Sequence, residues 1–105
     1  MFSETDIAFL QQVKVTVLTI DPTAEVWLFG SRARGDARED SDWDFLVLTE
    51  QIVDTKYKDS VRDPLFYLGL EQGQIISTTI NNKMHWEALE LTNFYRCVQE
   101  DAVVV

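Results

Sequence analysis

The order of elements written into the sequence predicts an α/β (α+β) fold in which a small mixed β-sheet is flanked by helices. Three observations predict it. Apolar residues recur at helical spacing near the start. Three short stretches rich in strand formers follow, at 24–29, 43–49 and 74–80. Long amphipathic segments separate or follow these stretches, as in sheets covered by helices.

Ser3 to Ile20 reads as the first helix, with Ser3 as N-cap, Asp6 as the carboxylate of a capping box, and Ile7, Leu10, Lys14 and Val17 along one face. Asp21-Pro22 ends it, since a residue before proline is pushed out of the helical region. Ala24 to Phe29 is a strand apolar enough for burial on both faces, and Gly30 stops it. Residues 31–41 are too polar for core and form a loop or one helical turn. Trp43 to Thr49 is the second strand. A helix is expected from about Ile52 to Gln72, broken or restarted near Pro64. Gly73 ends it, and Gln74 to Ile80 is the third strand. Asn81-Asn82 should turn the chain into one or two helical pieces over Lys83 to Arg96, with Trp86 and Leu89 inward. Ala102 to Val105 is left as a short edge strand.

Composition narrows the function. A chain of 105 residues with 46% hydrophobic and 26% charged residues is one globular domain, residues 1–105, with room for a single core. Its net charge of −9 excludes an extended nucleic-acid surface, which needs a broad cationic face. A small anionic ligand in a local basic pocket is compatible with that charge. The single cysteine, Cys97, cannot form an intrachain disulfide and is expected, like the tryptophans, to pack in the core or an interface. No apolar run approaches the roughly 20 residues that span a bilayer, and the start lacks a signal-peptide pattern, so a cytoplasmic protein without membrane attachment is expected. The apolar end, Val103 to Val105, offers a surface to a partner or to a second copy in a homodimer.

The chemistry concentrates in GSRARGDAREDSDWDFLVL, residues 30–48, where five acids fall within the nine residues Asp36 to Asp44 beside two arginines. A strand that ends in Gly-Ser leaves unpaired backbone N–H groups, and glycine lets an anion approach the main chain closely. Ser31 adds a hydroxyl, and Arg32 and Arg34 add guanidinium groups suited to phosphate oxygens. In a strand, residues two apart share a face, so Asp42 and Asp44 project together while Trp43 points away. Two adjacent carboxylates repel unless a cation lies between them, and Mg²⁺ favours hard oxygen ligands shared with substrate phosphates. The combination describes a phosphoryl-transfer site. An EF-hand start, D-x-D-x-D, is ruled out by Phe45 and Gln51 where that loop needs Gly and Glu. Asp36, Glu39 and Asp40 read as a solvated link, and His85 as structural.

GSRARGD followed by SDWDFLVL resembles the signature of the minimal nucleotidyltransferases of the DNA polymerase β superfamily: Gly-Ser, a spacer, then Asp-x-Asp at the head of a strand. The resemblance implies a polymerase β-like nucleotidyltransferase fold and Mg²⁺-dependent transfer of a nucleoside monophosphate, AMP above others, from a nucleoside triphosphate to a hydroxyl. It implies that Gly30 and Ser31, with Arg32 and Arg34, contact the triphosphate, and that Asp42 and Asp44 are catalytic and bind the metal. It also suggests a partner, a helical HEPN-type toxin for which the chain serves as antitoxin and which supplies the acceptor. The family pattern has a third carboxylate on the next strand. Here that position falls on Ser77, or on Thr78 with a one-residue slip, with Glu71 and Glu87 the nearest acids along the chain. The alternative implied is a nucleotide- or metal-binding or antitoxin interaction module that has lost turnover with that carboxylate.

Overall fold

The computed structural model describes residues 2–105. Helix α1, Glu4–Ile20, starts on the expected capping box: the Ser3 hydroxyl accepts the Asp6 N–H at 3.0 Å and the Asp6 carboxylate accepts the Ser3 N–H at 3.1 Å. Its buried face is Phe9, Leu10, Val13 and Val17, whereas Ile7 is half exposed, so the stripe is rotated from the one expected. The chain then forms β1, Glu25–Phe29, the single turn α2, Ser31–Arg34, and β2, Trp43–Thr49.

Helix α3, Thr55–Gln72, is continuous, which corrects the break expected at Pro64. Proline removes one N–H from the ladder, and the carbonyl that would have received it belongs to Ser60, an exposed residue within reach of water. Gly73 closes α3 in the left-handed conformation with φ 67°, as expected. Strand β3 runs Ile76–Asn82, two residues later than expected. Asn81-Asn82 is therefore strand rather than turn, and the Asn82 side chain caps α4, Lys83–Glu87. Helix α5, Asn93–Asp101, and the two-residue strand β4, Val103–Val104, complete the chain.

The sheet order is β3-β2-β1-β4, with β2 parallel to β3 and both other pairings antiparallel, so the mixed sheet is as expected. Alternation along the strands sends side chains into two cores. Val26, Leu28, Trp43, Phe45, Val47 and Ile80 pack with α1 and α3. Leu46 and Leu48 pack with Trp86 and Val98 from α4 and α5, with Trp27 and Phe29 at the margin. Leu89, expected inward, is 36% exposed, a correction, because it lies in the connection between α4 and α5; Cys97 sits on the exposed side of α5, outside the core. No helix among the described residues is long and apolar enough to cross a membrane.

Candidate active site at the Gly-Ser turn

Where β1 ends, Gly30 takes φ 76° and ψ −159°, a conformation open almost only to glycine, and turns the chain into α2. A Cβ at this position would overlap the Asp44 carboxylate, so the absence of a side chain is what lets Asp44 lie against the turn. The first N–H groups of α2, those of Ser31 and Arg32, have no acceptor within the turn itself. Trp43 is buried among α1 and α3, and Asp44 lies on the opposite face, as the period of two requires.

Asp42 is exposed just before β2, and Asp44 is partly buried. Burial pushes the Asp44 carboxyl above the usual carboxylate range, the Asp42 charge pushes it further, and the Arg34 charge pulls it back. The two aspartates are thus brought together and repel, which is the electrostatic condition a cation would relieve. Among the described residues no three His, Cys, Asp or Glu side chains converge as a metal site. The register places Ser77 directly beside Asp44 and moves Thr78 onto Phe45, which resolves the one-residue ambiguity in favour of Ser77. Neither Glu71 nor Glu87 joins the pair. The donor set fits one hard cation completed by water and phosphate oxygens, and it does not fit two.

The two arginines separate in role. Arg32 donates from Nη2 to the carbonyls of Ser41 at 2.9 Å and Glu39 at 3.1 Å, and its guanidinium lies 4.5 Å from the centre of the Trp43 ring. It ties the 35–42 loop down and thereby fixes where Asp42 emerges. Arg34 pairs through Nε with Asp36 at 3.2 Å and through Nη1 with Asp101 of α5 at 2.9 Å. The hydrogen bond it donates to Asp101, then that to Asp36, holds its guanidinium above the ordinary arginine range. Asp36 therefore has a partner, while Glu39 offers only its backbone carbonyl. Asp101 was not expected at the site: it stands 67 residues from Arg34 in the chain, and no spacing rule reaches that far.

A separate cavity of about 200 Å³ opens on the same face toward the far end of the strands, lined by Glu25, Leu48, Lys83 and Glu87. Lys83 there pairs with Glu25 at 3.1 Å, so the cavity holds a satisfied cation and stands apart from Asp44.

Comparison with known proteins bears on the fold and the family. A chain from the structure described as "Crystal structure of the toxin-antitoxin with AMP-PNP" superposes with a TM-score of 0.60 at 16% identity, covering 90% of this chain and 70% of that one. At that identity the likeness establishes the fold. No curated protein matches the sequence. Residues 10–97 match the nucleotidyltransferase domain family, a span that contains the Gly30–Ser31 turn and the Asp42/Asp44 pair, and the chain belongs to that family.

Proposed function

We propose that the protein is a minimal nucleotidyltransferase domain that moves a nucleoside monophosphate, AMP in the first instance, from a nucleoside triphosphate to a hydroxyl on a partner protein. The observation that carries this reading is the placement of the Asp44 carboxylate against the Gly30 turn, with Asp42 close enough to raise its pKa. In this reading Gly30 and Ser31 receive the triphosphate, Arg34 offers its unused N–H groups to phosphate oxygens, and Arg32 keeps the loop in place. Asp42 and Asp44 would hold Mg²⁺. When bound, the ion supplies Lewis-acid neutralisation of charge on the phosphates.

The acceptor oxygen forms a bond to the α-phosphorus, the bond from that phosphorus to the bridging oxygen breaks, and pyrophosphate leaves. The hydroxyl proton passes to solvent, since Ser77 stands where a carboxylate would otherwise receive it. That absence lowers the expected rate, because a positioned general base contributes roughly 10²–10⁴-fold.

The similarity to a chain from a toxin–antitoxin structure supports looking for the acceptor in a helical, HEPN-type toxin. A second reading, a nucleotide-binding antitoxin module without turnover, is favoured by Ser77 alone. The test is incubation of the purified chain with labelled ATP, Mg²⁺ and lysate of its own cells. Label transferred to protein, and lost in Asp42→Ala and Asp44→Ala, establishes the enzyme. ATP-dependent thermal stabilisation with no transfer establishes the module.

A further inference from the structure

Asp44 has neighbours on both sides across the sheet. On β3 it is flanked by Ser77, and on β1 by Phe29. Paired residues share a face with Cβ atoms roughly 4.5–5.5 Å apart, so the Phe29 ring borders the carboxylate. Over Phe29 lies Phe94, in the first turn of α5, with ring centroids 6.0 Å apart and planes at 85°. Trp86 braces Phe94 from α4, at 5.9 Å and 89°. Thr92 fixes the start of the helix by accepting the Tyr95 N–H at 3.2 Å. Phe94 is nonetheless 46% exposed.

The same helix carries Asp101 at its other end, bonded to Arg34. Helix α5 therefore frames the Asp44 face, with an aromatic at its first turn and the anchor of the phosphate-side arginine at its last. The two ends are separated by roughly 10 Å of helix, a span along which a base, a ribose and a triphosphate can be laid out.

We propose that Phe94 is the base subsite of the nucleotide: the ring stacks on the nucleobase while the triphosphate lies at Gly30, Ser31 and Arg34. This rests on the nucleotidyltransferase reading above and deepens it. Stacking is indifferent to hydrogen-bonding pattern, because every base has a π-face. The site then favours the larger purines over pyrimidines and separates ATP from GTP weakly. Phe29 and Trp86 hold the ring in place, which limits the entropy lost when the base settles on it.

The experiment is calorimetric titration of the full chain with Mg²⁺-ATP and, separately, Mg²⁺-tripolyphosphate, which has no base. Wild type, Phe94→Leu and Phe94→Trp are compared, with melting temperature as the check on folding. Phe94→Leu keeps apolar contact with Phe29 and Trp86 and removes the π-face. The expected result is ATP affinity reduced about 5- to 100-fold in Phe94→Leu, retained in Phe94→Trp, and tripolyphosphate affinity unchanged in all three. Equal ATP affinity in wild type and Phe94→Leu overturns the base subsite and leaves the nucleotidyltransferase reading standing. Loss of ATP and tripolyphosphate affinity together also overturns it, by showing that the ring supports only the fold. Failure of the wild type to bind either ligand overturns the nucleotidyltransferase reading itself, and the subsite with it.

Discussion

At the scale of single residues, the site depends on Gly30 and Asp44 occupying one another's space. Gly30→Ala forces both a glycine-only backbone conformation and an overlap with the Asp44 carboxylate. It is expected to cost about 1–3 kcal/mol of stability in chemical denaturation and to displace the proposed metal ligand. Asp44 shows the opposite balance. Burial and the Asp42 charge both disfavour its ionised form, so Asp44→Asn is expected to raise the melting temperature in metal-free buffer. Thermal scans with and without Mg²⁺ check this: the ion should stabilise wild type and leave Asp44→Asn unmoved. The sequence made Gly30, Ser31, Asp42 and Asp44 legible because their relation is local, a turn and a strand period. It did not reveal what Arg32 does, because the acceptors are loop carbonyls that no side-chain pattern encodes. Nor did it reveal Asp101, which reaches Arg34 only through the path of α5.

At the scale of elements, ends were more legible than faces. The Ser3 capping box and the Gly73 stop read directly from residue type, since caps satisfy nearby backbone groups. Ser3→Ala should therefore lower stability by about 0.5–2 kcal/mol in urea denaturation. The buried stripe of α1 was shifted from the one expected, because Phe9 and Val13 meet the sheet at an angle set by packing against Trp43 and α3. The Pro64 break failed for a similar reason. The flanking turns of α3 are held by Val61 and Leu65 in the core, and their burial outweighs one missing hydrogen bond. Strand β3 started late because its register against β2 places Ile76 beside Trp43, a pairing decided by the sheet rather than by β-propensity.

At the scale of the whole molecule, a polar knot at the opposite end of the sheet links stability to pH. Asp21, only 4% exposed, accepts hydrogen bonds from the Tyr57 hydroxyl at 2.6 Å, the Thr49 hydroxyl at 2.5 Å and the Thr23 hydroxyl at 2.7 Å. Burial pushes its pKa up, but the hydrogen bonds from these hydroxyls and from the Thr23 N–H together outweigh burial and leave it below the ordinary 3.8. Its contribution is thus present above pH 3.8 and lost as pH falls further. Burial, then the bond to Asp21, pushes Tyr57 up to about 12 from 10, so its contribution is complete below pH 10 and lost as pH rises toward 12. Melting curves across pH should show both limbs. Asp21→Asn should remove the acid limb at a cost of about 1–3 kcal/mol near neutrality, and Tyr57→Phe the alkaline one. The element types, the Gly-Ser turn and the spacing of the Asp-x-Asp pair are legible along the chain, because caps, periods and short spacings act between neighbours. Long-range packing sets the strand pairings, covers both sheet faces, stands Ser77 beside Asp44 and brings Phe94 and Asp101 of α5 around the turn. Those relations join residues tens of positions apart, and they arise from how buried faces settle against one another.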